Sequence, residues 1–579
     1  MRPDALLLGM MLVFLVALPL RSASSAEPAG PPQEELERLS RLPGQPSRLE
    51  AAGVKRGGLT LPTLESTTPL DAKPIRVALV GGLDGDSRSV RAVLGALEWF
   101  KSSAPASVRR QVTLSALPCG NPEGLKKGSA ENDAGGRPDT GYPPRDGFFT
   151  DPKNPETRYI WRWATFQAPD ILIEVRGGEG ELQFRWEDQN PAAFIPPTLA
   201  FAATVGVNGL GRFLGATAHV RAEDGPALLR HLLAEKGRLV RSPLHTALIA
   251  RMHRDPLEVA KILATNYPRV PEIAYIQAVT WSSTVRLSEL TGEPRWREQV
   301  ERQLTPYLKA APPELKGSPG EMTVLLAGHI GFAELAAATG NAEAKRLTLR
   351  AAEAYRPEKP DGIARYGLYW CEDMFMKATL LGRAARLAND PTCNDLSART
   401  IREYAGKLQY PSGLFHHALD GPICWGRGNG FAAMGLMEAL TYLPKDHPDR
   451  KALVTACRKQ MAALRPLRTP EGTLRQIVDH PESYREITAT AMNLAALARG
   501  VRLGWLGKEY IPEIRRAWSG LSARIADDGT LTDVCVGTGA APDLRAYYDR
   551  PGASGYDDRG GAMSLLAAVE VAALERKER

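Results

Sequence analysis

Ile273-Ala274-Tyr275-Ile276-Gln277-Ala278-Val279-Thr280-Trp281-Ser282-Ser283-Thr284-Val285-Arg286-Leu287-Ser288-Glu289-Leu290-Thr291 runs without a breaker and stops at Gly292. A long unbroken segment closed by a C-terminal glycine is the signature of an α-helix. A second long helical segment, Met322–Thr339, also stops at a glycine, Gly340, and further helical segments follow at Met374–Asn389, Gly430–Leu443, His447–Leu464 and Thr488–Leu503, separated by Gly/Pro/Asn loops. From about 245 to the end, strand signals nearly vanish. About a dozen helices are too many for a simple bundle, so a closed double ring of helices, an (α/α)6 toroid over 245–579, is the expected architecture. Thr291-Gly292 and Thr339-Gly340 hint at an internal repeat.

Upstream the pattern differs. Ile75–Val80 is a β-rich run ending in Gly81-Gly82, Val90–Phe100 has helical spacing, and Val112–Leu117 and Asp170–Val175 are further strands. Strands alternating with helices predict a parallel sheet, an α/β domain over 71–240. Residues 125–155 read as a long loop. Residues 27–70, rich in Pro, Glu, Arg and Ser, read as a partly disordered N-terminal extension. Arg2, the apolar stretch Ala5–Leu20 and the small-residue run to Ala26 read as a cleaved export signal over 1–26, so a periplasmic or secreted location is expected. No later segment is expected to enter a membrane.

Composition is that of a globular protein, with 43% hydrophobic and 24% charged residues and a net charge of +7. No Lys/Arg run marks a nucleic-acid tail, and a mildly basic surface suits an anionic ligand. The six cysteines, Cys119, Cys371, Cys393, Cys424, Cys457 and Cys535, are scattered without paired spacing, leaving at most one or two bridges open. Oligomeric state is left open by the sequence.

Four segments of the helical half resemble glycoside hydrolase family 105 and, more distantly, family 88. These are the unsaturated rhamnogalacturonyl and glucuronyl hydrolases. The first segment is Tyr369-Trp370-Cys371-Glu372-Asp373-Met374-Phe375-Met376. The resemblance puts the general acid at Glu372 or, one residue on, at Asp373. Adjacent helical residues point about 100° apart, so only one of the pair faces a reacting carbon. The second is Ser412-Gly413-Leu414-Phe415-His416-His417-Ala418-Leu419-Asp420 followed by Trp425-Gly426-Arg427-Gly428-Asn429-Gly430. It implies His417, Trp425 and Arg427 as substrate contacts, with Trp370 as a second aromatic wall and Arg427 paired bidentately with a uronate carboxylate. Phe431 stands where the family has a Trp. The third, Glu486-Ile487-Thr488-Ala489-Thr490-Ala491-Met492, also reads as a helix cap. The fourth, Gly537-Thr538-Gly539, Tyr547-Tyr548 and Gly560-Gly561-Ala562, resembles the closing segment of the barrel. The family's second catalytic-site Asp is absent from Thr323–Ile330, where His329 is the polar candidate.

The reaction this resemblance implies is removal of a terminal 4,5-unsaturated uronic acid from a lyase-generated oligosaccharide. It needs no cofactor and no metal. Its rivals are a non-catalytic saccharide-binding protein on the same toroid and a zinc carboxypeptidase. The second rival arises because the first half resembles the zinc carboxypeptidases. Gly81-Gly82-Leu83-Asp84-Gly85-Asp86-Ser87 and Asn121-Pro122-Glu123-Gly124 match that family's motifs, and Ile173-Glu174-Val175-Arg176 its third strand. By that match the ligands are replaced by Asp84, Ser87 and Arg176, and no histidine occurs before His219. A guanidinium opposes cation binding, so the fold is expected without the zinc, and Arg176 becomes a candidate carboxylate binder.

Overall fold

The computed structural model describes residues 32–55, 58–140, 153–186, 213–312 and 314–578. The expected export signal and the middle of the 125–155 loop lie outside the described residues.

The first half is built on one seven-stranded sheet. Its strands are β1 (Ser47–Val54), β2 (Thr60–Ser66), β3 (Ile75–Val80), β4 (Val112–Leu117), β5 (Ile171–Gly177), β6 (Gln183–Trp186) and β7 (Leu214–Val220), in the order β1-β2-β4-β3-β5-β7-β6. The central four, β4, β3, β5 and β7, are parallel. The outer three pair antiparallel. β3 and β4 fall on the expected residues. The expected extension is corrected: it supplies a helix, Gln33–Ser40, and the first two strands. Its polar residues misled because they are spent inside the molecule. Glu50 and Glu65 are 4% and 1% exposed, and each meets an arginine of the helical half, Arg475 and Arg485 respectively.

The second half alternates outer and inner helices six times. The inner set is Tyr275–Thr291, Ile330–Thr339, Cys371–Ala388, Gly426–Tyr442, Ile487–Leu503 and Asp558–Glu578. Each packs on the next, and the last packs back on the first, closing the ring. The outer set is Pro256–Asn266, Pro294–Lys309, Ala342–Glu353, Pro391–Leu408, Arg450–Leu464 and Ile511–Ala523. Inner helices such as Gly426–Tyr442 bury nearly every residue, whereas an outer helix such as Pro294–Lys309 buries only Trp296, Val300 and Leu304. That is the difference between a helix enclosed on all sides and an amphipathic one. Small residues let the inner helices close up: a Cβ on Gly430 would stand 2.8 Å from Cβ of Met492.

The helix expected over Met322–Thr339 is two helices, Pro319–Ala327 and Ile330–Thr339. The break falls at Gly328, where a Cβ would meet the Ile273 backbone at 2.7 Å. By length and composition Pro319–Thr339 is apolar enough to cross a membrane, with mean hydropathy 1.4, contrary to the expectation that no later segment is. Here 67% of it is buried within the fold. All six cysteines are buried thiols without a disulfide partner.

One hydrophobic core belongs to both halves. Leu61, Tyr159 and Trp163 of the first half join Trp425, Tyr484 and Tyr547 of the second in a single apolar cluster. The helix Pro155–Gln167 carries the contact. Arg162 donates to Asp533 at 2.6 Å and lies 4.3 Å from the Tyr484 ring, and the Tyr159 hydroxyl reaches the Tyr548 carbonyl at 3.3 Å.

Candidate active site

The inner helices run in one direction around the ring, so their N-termini share one rim. Tyr275 opens the first, Glu372 stands second in Cys371–Ala388, Arg427 second in Gly426–Tyr442, Glu486 caps Ile487–Leu503, and Arg559 stands second in Asp558–Glu578. Helix N-termini present unpaired N–H groups and the positive end of the macrodipole, which favours an anion at this rim.

The two adjacent acids have different jobs. Between Tyr366 and Trp370 the chain turns through three left-handed residues, Tyr366, Gly367 and Tyr369, with φ of 62°, 90° and 56°. This turn lays backbone N–H groups over Asp373. Its Oδ2 accepts from Leu368 N at 2.8 Å, Trp370 N at 3.2 Å and the Tyr404 hydroxyl at 3.0 Å. Asp373 is 3% exposed, and burial raises its carboxyl while the Lys377 ammonium pulls it back down. Burial in turn lowers Lys377 to about 8. Asp373 is therefore a structural cap. Glu372 faces the other way: its Oε1 lies 3.2 Å from Nε2 of His417, and its Oε2 is buried with no hydrogen-bond partner.

His417 links that carboxyl to the end of the chain. It is fully buried, and its Nδ1 lies 2.7 Å from the Tyr547 hydroxyl. Ala541 N donates to the same hydroxyl at 3.3 Å. Where the hydroxyl donates to Nδ1, a neutral His417 carries its proton on Nε2 and donates it to Glu372. Burial, reinforced by the charge of Glu372, pushes the Tyr547 phenol up to about 12, so it stays a donor. Trp370 is half-buried, with its ring 5.3 Å from His417. The reading of the residues missed Tyr547 as a partner of the site, because its separation of 130 residues from His417 leaves no local signal.

Two expected substrate contacts are corrected to supporting roles. Trp425 is 1% exposed and packs on His417 at 4.5 Å, so it walls the histidine and offers no open face. Arg427 lies 4.5 Å over Trp425 and gives its two terminal nitrogens to the carbonyls of Cys535 and Val536. That fork is already occupied by backbone. Asn429 clamps the loop before it, accepting from Phe415 N at 2.9 Å and donating to Phe415 O at 2.7 Å. The guanidinium left with exposure on the rim is Arg559, whose side chain is 28% exposed while it holds Asp557. Tyr275, pushed up to about 12 by burial, lies within electrostatic reach of Arg427, Glu372 and Arg559.

The Glu486 segment is a cap. Its carboxylate accepts from Thr488 N, Ala489 N and Cys535 N at 3.1, 2.6 and 2.9 Å. His329 does not join the site. Its Nδ1 bonds the Leu325 carbonyl at 3.0 Å, its ring packs 5.6 Å from Phe332, and burial lowers it to about 4. It is a neutral packing histidine.

At the C-terminal edge of the parallel strands, Arg176 is 2.5 Å from Glu174 and 3.4 Å from Asp139, while Asp84 accepts from Gly177 N at 2.9 Å. These residues do not fit a zinc ion, since the guanidinium holds the carboxylates that would be its ligands. Asp139, which Arg176 meets at 3.4 Å, answers its charge internally, which corrects its candidacy as a carboxylate binder. Burial of Glu174 outweighs the attraction of Arg176 and raises its carboxyl to about 8. A raised acid stabilises the fold fully below its unfolded value near 4.5, and that stability is lost as pH rises through about 8. Glu174→Gln should flatten this dependence. Between pH 5 and pH 8 the wild type should lose on the order of 3–5 kcal/mol that the variant keeps, read as a smaller shift in melting temperature. Equal shifts would show that Glu174 ionises freely.

Comparison with known proteins follows this geometry. The family model Glycosyl Hydrolase Family 88 matches residues 251–575. The unsaturated rhamnogalacturonyl hydrolase YesR of Bacillus subtilis (strain 168) is 26% identical over 212 residues, covering 35% of this chain and 57% of that protein. The unsaturated 3S-rhamnoglycuronyl hydrolase of Alteromonas sp. (strain LOR) is 24% identical over 187 residues, covering 30% and 45%. The chain thus spans about half the length of the curated relatives it matches. A solved glycoside hydrolase of family 105 from C. acetobutylicum is 20% identical, with a TM-score of 0.49, covering 54% of this chain and 98% of that one. The family match takes in the whole helical ring and more than half of the sequence, and the chain belongs to glycosyl hydrolase family 88.

Proposed function

We propose that the protein removes a terminal 4,5-unsaturated uronic acid from oligosaccharides produced by a polysaccharide lyase, by hydrating the C4=C5 bond. Glu372 protonates C4, water adds at C5, and the resulting hemiketal opens to release the next sugar. The observation that carries this reading is the placement of Glu372. One carboxyl oxygen meets His417, and the other has no hydrogen-bond partner among the described residues, which leaves it free for the reacting sugar. The ring of helix N-termini, with Arg559 at its edge, suits the uronate carboxylate, and half-buried Trp370 offers the sugar an aromatic face. The substrate classes named for the two curated relatives, rhamnogalacturonyl and 3S-rhamnoglycuronyl, support an acidic saccharide.

Incubation with a panel of lyase-generated unsaturated oligosaccharides should abolish the ultraviolet absorbance of the conjugated double bond for at least one of them. Binding without any loss of absorbance across the panel would favour a saccharide-binding protein instead. We further propose that the first half is a carboxypeptidase-like domain without its metal, supported by the placement of Asp84, Asn121 and Arg176 at the ends of three adjacent parallel strands. An export signal over 1–26 and a periplasmic or secreted location complete the proposal.

A further inference from the structure

A second cavity, of about 510 Å³, lies at the junction of the two halves. Neither Glu372 nor His417 lines it. Its walls carry five arginines, Arg48, Arg76, Arg468, Arg516 and Arg524, against one carboxylate, Glu471. Two of the arginines are neutralised nearby, Arg48 by Glu50 and Arg468 by Glu513. Glu471 itself leans on Arg485 at 3.6 Å. The remaining three have no carboxylate in ion-pair contact. Arg76 is 6% exposed; its guanidinium donates to the carbonyls of Gln167 at 2.8 Å and Thr68 at 3.1 Å, while its backbone N donates to Asp170 at 2.8 Å. Arg524 is 8% exposed, donates to the Thr165 carbonyl at 3.3 Å and lies 4.0 Å over Phe166. Arg516 is exposed and makes no hydrogen bond or ion pair among the described residues.

Guanidinium groups that share a partly buried cavity without an ion-pair partner among the described residues repel one another, and an anion between them relieves that repulsion. Arg468, 7% exposed, adds a third buried guanidinium to the wall. The other lining groups set the ligand's body. Hydroxyls of Thr67, Thr68, Thr469 and Ser519 suit a polar molecule, and Leu70, Phe166 and Met252 offer apolar surface under a ring. The volume is that of an ordinary small-ligand site.

We propose that this cavity is a second, non-catalytic site for a carboxylate-bearing saccharide, held between the domains by Arg516, Arg524 and Arg76. The choice of a saccharide over another anion rests on the hydrolase reading; the anion site itself does not. Calorimetric titration of the full chain separates the two. The probes are saturated digalacturonate, which has no C4=C5 bond to hydrate, cellobiose as its neutral counterpart, and inorganic phosphate. Digalacturonate should bind and cellobiose should not. Arg516→Glu, outside the catalytic rim, should weaken digalacturonate about tenfold or more, the order expected for losing one charge-assisted pair, while kcat on an unsaturated disaccharide stays unchanged. Digalacturonate binding that Arg516→Glu leaves intact would overturn the site. Phosphate binding as tightly as digalacturonate would overturn the saccharide assignment. Absent turnover with Arg516-dependent binding retained would retire the hydrolase reading alone.

Discussion

Glu372→Gln should lower kcat on an unsaturated oligosaccharide by about 10²–10⁴-fold, the range a positioned general acid supplies. The amide has the same size and still accepts from His417, so KM and melting temperature should stay close to wild type. Asp373→Asn should do the reverse. Asp373 Oδ2 holds three donors, and its charge faces the buried Lys377. Removing that charge leaves an ammonium enclosed without its counterion, at a cost of roughly 2–4 kcal/mol. The variant should melt early, and whatever activity it loses should follow the folded fraction. Ultraviolet turnover and thermal melts on both proteins make the comparison. A Glu372→Gln enzyme turning over at the wild-type rate would end the assignment.

Arg485→Met should destabilise the whole protein by about 3–5 kcal/mol, the cost of stranding a buried carboxylate. Arg485 is 6% exposed, bonds Glu65 at 2.9 Å and faces Glu471. Glu65 also accepts from the Trp163 indole at 3.1 Å. The substitution therefore leaves a charge between β2, the helix Pro155–Gln167 and the barrel with nothing to answer it. Adding Glu65→Leu should recover part of the loss, because both members of the pair are then gone. A single substitution costing under about 1 kcal/mol would mean that water reaches this junction.

The helical half was legible because its evidence is local. Length and flanking breakers mark the helices, three of which close on a left-handed glycine, and the ring follows from their number. The site was only half legible. The motif around Trp425 points to the loop that packs against His417, but it could not say that Arg427 would spend its fork on Cys535 and Val536, more than a hundred positions away. Nor could spacing separate Glu372 from Asp373. The left-handed turn at Tyr366–Tyr369 decides between them, and it leaves no periodic trace. Residues 27–70 were misjudged for a related reason. Glu50 and Glu65 look like solvent residues until the arginines of the other half are beside them.

The apolar cluster shared by Tyr159, Trp163, Trp425 and Tyr547 has a thermodynamic consequence. Two halves with separate interiors unfold separately, each with its own midpoint. Here Trp425 and Tyr547, the backing of His417, lose their packing if the sheet lets go. The sheet loses the partners of Glu50 and Glu65 if the ring does. Each half also has a core of its own, but the shared cluster ties their unfolding together, so the boundary so plain in the sequence should be blurred in cooperativity. The first half is then the part of the folding unit that keeps a distant histidine in place.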